Sequence, residues 1–253
     1  MAMASPVAGT PRPSVWPPNA KMPSKLVIQE HPSPNFGERR DGARPDLLVI
    51  HYTAMATAEA ALERLCSSEH EVSAHYLICE QGQVFRLVDE EMRAWHAGVG
   101  QWGDVTDVNS RSVGIELANP GTTPFAAAQM AALEALLADI LARHAIPPER
   151  VIGHSDMAPE RKIDPGPRFD WKRLALQGLS VFPKEMEGIE PDEVRFVQDL
   201  QAFGYPETPL EALLPAFRSR FRPRHHGPLD GLDMTLARDL ATRFPIDHGK
   251  LTA

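Results

Sequence analysis

The sequence predicts an α/β fold, a mixed β-sheet flanked by helices, followed by a small unit of three short helices. Three observations carry this expectation. Between residues 25 and 183, short apolar runs bounded by turn residues alternate with segments of helical period, the order expected of a sheet covered by helices. A polar stretch over 184–190 interrupts that order, and from Pro191 the pattern is purely helical. With 253 residues and 43% hydrophobic content, the chain is long enough to bury the core that such a layered fold requires.

Residues 1–24 are rich in Pro, Ala and Ser, with Val7, Val15, Trp16 and Met22 as the larger apolar groups, and read as a mobile arm. Strand signals begin at Leu26-Val27-Ile28 and continue at Leu47-Leu48-Val49-Ile50. Thr57 is a suitable cap for a helix over 58–68, with Ala61, Leu62 and Leu65 on its buried side. Tyr76 to Cys79, the turn Glu80-Gln81-Gly82-Gln83 and Val84 to Val88 predict a hairpin. A strand follows over Ser112 to Ala118. The segment 124–144 keeps helical spacing through Met130, Leu133, Leu136, Leu137, Ile140 and Leu141, with Thr123 as cap and Pro124 in the first turn. That helix is expected to cover one face of the sheet, and a short strand over Arg150 to Ile152 completes the elements of the 25–183 domain.

Beyond the 184–190 linker, the tail 191–247 is expected to form a separate domain. Pro191 to Phe203 places Val194, Val197, Leu200 and Phe203 on one face and stops at Gly204. Leu210, Leu213, Leu214, Phe217 and Phe221 make a second amphipathic segment, and Asp233 is the expected cap of a third containing Leu236 and Leu240.

The formal charge of −8 and the lack of a sustained basic stripe argue against a nucleic-acid partner. Cys66 and Cys79 are too few for a disulfide framework and read as buried thiols. No run of 18 apolar residues occurs, so no membrane-spanning helix is expected. Prolines at 6, 11, 13, 17 and 18 interrupt the stretch a signal peptide would need, and the first cysteine, Cys66, is too far along for a lipoprotein anchor. With Met1 as the natural start, the expected compartment is the cytoplasm; an exported, periplasmic protein is the alternative if the natural start differs.

Most of the ten histidines have ordinary settings: His31, His70, His144, His225, His226 and His248 fall in loops, helix ends or the tail. His51 and His154 each sit where a buried strand runs out, where sites tend to gather, although two hydrogen-bonded histidines at a core edge would look the same. Lys162 and Asp164 are two apart in an extended stretch before Pro165-Gly166-Pro167, so they should face one side while Ile163 packs behind. They could form a surface ion pair. Two imidazoles and a carboxylate are also a ligand set for zinc that leaves a fourth position for water. Alternation in Ser112 to Ala118 sets Val113, Ile115 and Leu117 against Gly114, Glu116 and Ala118. Glu116 is then either solvated, or buried with a raised pKa that suits proton transfer.

Six segments in order resemble the type-2 zinc N-acetylmuramoyl-L-alanine amidases: Val49-Ile50-His51-Tyr52-Thr53, Ser73-Ala74-His75-Tyr76-Leu77-Ile78, Ala94-Trp95-His96-Ala97-Gly98, Asn109 to Leu117, Gly153-His154-Ser155-Asp156 and Lys162 to Pro167. The resemblance runs from about Leu47 to Trp171. Residues 191–244 more loosely resemble a three-helix peptidoglycan-binding domain, giving an AmpD/AmiD-like organisation, but they differ from it in Phe217-Arg218-Ser219-Arg220-Phe221 and in the cluster Arg222 to His226. The resemblance implies one zinc ion per chain held by His51, His154 and Asp164, with Glu116 as general base and Lys162 as oxyanion stabiliser. It implies that Trp95, His96 and Asn109 line a sugar–peptide groove, with Trp95 alternatively a core aromatic, and that His75 either contacts substrate or makes structural hydrogen bonds. The implied reaction is hydrolysis of the lactyl–L-Ala amide of (anhydro)muropeptides in peptidoglycan recycling. Wall turnover by an exported amidase and non-catalytic peptidoglycan recognition are the rival expectations.

Overall fold

The computed structural model describes residues 26–246; the expected N-terminal arm and the end of the tail lie outside them. In chain order the elements are β1 (Ile28–Glu30), β2 (Phe36–Glu38), β3 (Leu47–Tyr52), α1 (Ala58–Leu65), β4 (Tyr76–Ile78), β5 (Val84–Arg86), β6 (Met92–Ala94), α2 (Val108–Arg111), β7 (Ser112–Leu117), α3 (Ala127–His144), β8 (Val151–Gly153), α4 (His154–Met157), α5 (Trp171–Leu176), α6 (Glu193–Phe203), α7 (Leu210–Phe221) and α8 (Gly231–Arg243). The main sheet has the order β1-β5-β4-β7-β3-β8, and β2 and β6 pair separately. Strands β4, β7, β3 and β8 are mutually parallel, while β5 runs antiparallel to β4 and parallel to β1. This is the mixed sheet that the sequence predicts, with the expected hairpin formed by β4 and β5.

Side-chain alternation divides the sheet into two faces. Leu48, Ile50, Val113, Ile115 and Leu117 pack with Leu133, Leu136, Leu137 and Ile140 of α3. On the opposite face, Leu47, Val49 and Ile152 join Trp102 and the tail residues Phe196, Phe203, Phe217 and Leu240 in one core. Beside them, Ala58, Ala61 and Leu65 of α1 cover Leu77. The tail therefore shares a hydrophobic core with the sheet, and the polar stretch 184–190 marks a change of pattern rather than a break in packing.

Of the arginines that set the tail apart in sequence, Arg220 docks it against the sheet while Arg218 and Arg222 hold the tail itself together. Arg220 lies 2.6 Å from Asp156 and donates to the Val151 carbonyl at 3.0 Å, with its guanidinium 4.2 Å from the centre of the Trp171 ring. Arg218 and Arg222 both pair with the buried Asp233. Asp230, not Asp233, caps α8, accepting from the N–H groups of Leu232 and Asp233. Helix α3 likewise begins at Ala127 rather than at Pro124, with no side-chain cap, because the Asn119 amide instead accepts from Gly121 N–H and donates to the Thr123 carbonyl, holding residues 119–123 in a loop. Cys66 and Cys79 are free thiols, with only Cys79 fully buried. No described helix is long and apolar enough to cross a membrane.

Candidate active site

The parallel strands β7, β3 and β8 are neighbours, so their C-terminal ends lie side by side. Register pairs His51 with Glu116, and Gly153, the residue before His154, pairs with Ile50. Because Ile50 and Ile115 face α3, the adjacent His51 and Glu116 point to the opposite face. The chain turns into α4 at His154, and the Asp164 carbonyl accepts from Ser155 N–H at 2.9 Å, bringing Asp164 alongside. The sheet topology thus gathers residues separated by more than a hundred positions.

Three atoms converge there. His51 Nδ1 and His154 Nδ1 are 3.0 Å apart, and Asp164 Oδ2 lies 2.9 Å from the first and 3.1 Å from the second. His154 Nε2–H donates to the Ala97 carbonyl at 2.8 Å, so in the neutral ring Nδ1 is a bare lone pair aimed at a carboxylate oxygen. Two acceptors held at hydrogen-bond distance in a buried site repel each other unless a cation lies between them. Burial, reinforced by His154, pushes His51 down to about 4 against the opposing pull of Asp164, which keeps the ring neutral near neutral pH and its lone pair free for a cation. The donor set, two imidazole nitrogens and one carboxylate oxygen, fits zinc. Elsewhere, His225, Asp230 and Asp233 also lie close together, but Arg218 and Arg222 already neutralise the two carboxylates.

These groups open into a cleft of about 380 Å³ whose walls include Tyr52, Arg64, Trp95, His96, Glu116, Arg161 and Lys162. Glu116 Oε2 is buried without a hydrogen-bond partner. Burial and then the charge of Asp164 push its carboxyl up to about 8, with Lys162 acting in the other direction. Lys162 and Asp164 both line the cleft, but so does Ile163, which is 72% exposed rather than packed behind them. The segment is an irregular loop after α4 rather than an extended strand, so the two-residue alternation expected of it does not hold.

Asn109, expected to line the groove, is placed elsewhere, and His75 takes the second of its two expected roles, structural hydrogen bonding. His75 is fully buried: its Nδ1 accepts from Gly114 N–H at 2.9 Å and its Nε2 lies 3.1 Å from the Met92 carbonyl. Burial and the neighbouring Arg39 push its pKa down to about 3. Asn109 is also buried and does not line the cleft; its Oδ1 accepts from the N–H groups of His96 and Ala97. Both belong to the hydrogen-bonded frame. Tyr52 and Thr53 were not singled out from sequence, although they directly follow His51 and line the cleft. Arg64 and Arg161 gave no signal, because a charge on a short helix or in a loop reads as solvated.

The family described as N-acetylmuramoyl-L-alanine amidase matches residues 41–167. The N-acetylmuramoyl-L-alanine amidase AmiD of Escherichia coli is 36% identical over 237 residues, covering 81% of this chain and 85% of that protein. The 1,6-anhydro-N-acetylmuramyl-L-alanine amidase AmpD of Enterobacter cloacae is 35% identical, covering 64% of this chain and 96% of that protein. Among solved structures, the E. coli AmiD complex with anhydro-N-acetylmuramic acid-L-Ala-D-gamma-Glu-L-Lys superposes with a TM-score of 0.74 at 32% identity, covering 83% of this chain and 98% of that one. AmpDH3 of Pseudomonas aeruginosa in complex with anhydromuramic pentapeptide gives a TM-score of 0.73 at 32% identity, covering 81% of this chain and 94% of that one.

Proposed function

The chain belongs to the N-acetylmuramoyl-L-alanine amidase family, and from that premise we propose that it hydrolyses the lactyl–L-Ala amide of anhydromuropeptides in peptidoglycan recycling, with zinc held by His51, His154 and Asp164. The observation that carries this reading is the convergence of His51 Nδ1, His154 Nδ1 and Asp164 Oδ2 within 3.1 Å of one another beside an unpartnered Glu116 oxygen. The substrate class is supported by the ligands of the related AmiD and AmpDH3 complexes.

Bound at those three atoms, zinc would polarise the scissile carbonyl and make an attacking water more acidic. Glu116 accepts the water proton, since a carboxylate that is poorly solvated is a stronger base than one in water. As the amide breaks, the same carboxyl returns that proton to the departing alanine nitrogen, so the amine leaves neutral and the lactyl group is left as a carboxylic acid, which loses its remaining proton to solvent at neutral pH. Lys162, whose ammonium can only donate, stabilises the oxygen that gains negative charge as the carbonyl becomes tetrahedral. Trp95 forms part of the wall against which the sugar–peptide junction is held.

Mass spectrometry of the products from a purified anhydromuropeptide tests this assignment. The expected products are the stem peptide with a free L-alanine amino group and the anhydro sugar with a free lactyl carboxylate. Cleavage within the peptide or at a glycosidic bond would remove the reading. Running intact sacculi in parallel distinguishes recycling, which requires turnover of the soluble fragment, from wall turnover.

A further inference from the structure

Two contacts tie residues 96 and 97 to the two histidines of the site. His96 Nδ1 lies 3.0 Å from His51 Nε2, and the Ala97 carbonyl lies 2.8 Å from His154 Nε2. The proton positions along the first contact follow from its far end. The Ser112 hydroxyl is 2.5 Å from the Val108 carbonyl, which can only accept, so the hydroxyl donates there and offers its lone pairs to His96 Nε2 at 3.2 Å. The neutral His96 ring therefore carries its proton on Nε2, and His51 donates Nε2–H to the bare Nδ1. That leaves His51 Nδ1 bare as well, facing His154 Nδ1 and Asp164 Oδ2. His154, with its Nε2–H given to Ala97, presents a bare Nδ1 to the same point.

The segment that sets both tautomers is itself clamped. Asn109 Oδ1 accepts from the backbone N–H of His96 at 3.1 Å and of Ala97 at 2.8 Å. Gly114 leaves the space for the imidazole: a Cβ there would lie 2.4 Å from the His96 ring. Asn109, Ser112 and Gly114 all come from α2 and the start of β7, so one short stretch of chain seats the 96–97 segment.

We propose that His96 and Asn109 are positioning residues that act through the 96–97 segment to fix both histidines as Nε2–H tautomers, so that two bare Nδ1 atoms and Asp164 face one cation. The inference rests on the zinc reading of the site. Its consequence is that His96 and Asn109 govern how tightly the metal is held.

The test compares zinc dissociation constants of the full-length protein, measured by competition with a chromophoric chelator, with melting curves and Michaelis constants recorded for the same samples. His96→Leu and Asn109→Leu remove an acceptor, whereas His96→Gln and Asn109→Asp keep an oxygen that can accept. Removing a partner that orients a metal ligand costs about 10- to 100-fold in metal affinity, the loss expected of both leucine variants. The Gln and Asp variants should recover most of it, and at saturating zinc the Michaelis constants of the Asn109 variants, whose side chain lies off the cleft, should stay near wild type. Should Asn109→Leu fail to fold, the His96 pair carries the comparison. Leucine variants that bind zinc as tightly as wild type while raising the Michaelis constant would overturn the proposal and make these residues substrate contacts. A wild-type protein that binds no zinc would instead overturn the metal reading itself.

Discussion

Glu116 Oε2 is buried without a partner, and the carboxyl's pKa is raised chiefly by burial and secondarily by Asp164. Glu116→Gln keeps the shape and loses the base, so turnover should fall by about 100- to 10,000-fold with zinc still bound. A second consequence concerns stability of the metal-free protein. A carboxyl whose folded pKa of about 8 exceeds its unfolded value holds its proton more tightly in the folded state, so stability falls as pH rises through that interval. The melting temperature of Glu116→Gln relative to wild type should therefore be higher at pH 9 than at pH 5; equal differences at both would place the carboxyl in water. For Lys162→Ala the expected loss is about 100- to 1,000-fold in kcat with zinc content intact, measured by steady-state kinetics with metal analysis. A rise in the Michaelis constant alone would make Lys162 a substrate anchor. At this scale strand position and spacing raised His51, Glu116, His154, Lys162 and Asp164 as candidates but left structural readings equally open, and the family resemblance supplied their expected roles. They could not separate Trp95, which lines the cleft, from Asn109 and His75, because a polar residue beside a motif looks the same whether its hydrogen bonds go to substrate or to backbone.

Periodicity located the elements that bury an apolar stripe, such as β3, β7, α1 and α3. The short elements β2, β6, α2, α4 and α5 carry no continuous apolar run or period of their own and were not legible. Nor was the docking of the tail, which depends on partners distant in sequence. Asp156, two residues after His154, accepts from Arg220 and from the Tyr205 hydroxyl, each at 2.6 Å, and also from Gly153 N–H at 2.7 Å. The tail thereby braces the turn that carries His154. Arg220 and Asp156 are both buried, and breaking such a pair from one side costs about 3–5 kcal/mol because the remaining charge loses its partner. Arg220→Ala should show that loss in urea unfolding. A chain ending at residue 183 would expose Trp102 and Val49, which pack in the same core as Phe203 and Phe217, and should melt well below the full-length protein. An unchanged melting temperature would restore the tail to the status of an independent domain.

At the scale of the whole molecule, one sheet organises two cores and a site. Helix α3 seals one face, the tail and α1 cover the other, and the C-terminal ends of three adjacent parallel strands supply His51, Glu116 and, through the turn into α4, His154. The central claim is that His51, His154 and Asp164 hold the one metal ion on which amide hydrolysis depends. The most direct measurement is to strip the protein with a chelator and titrate zinc back while following stem-peptide release from an anhydromuropeptide. Turnover should vanish on stripping and return in proportion to added zinc, saturating at about one ion per chain as a single three-ligand site requires, while Asp164→Ala should regain nothing. Full turnover in the stripped protein, or restoration of Asp164→Ala by stoichiometric zinc, would contradict it.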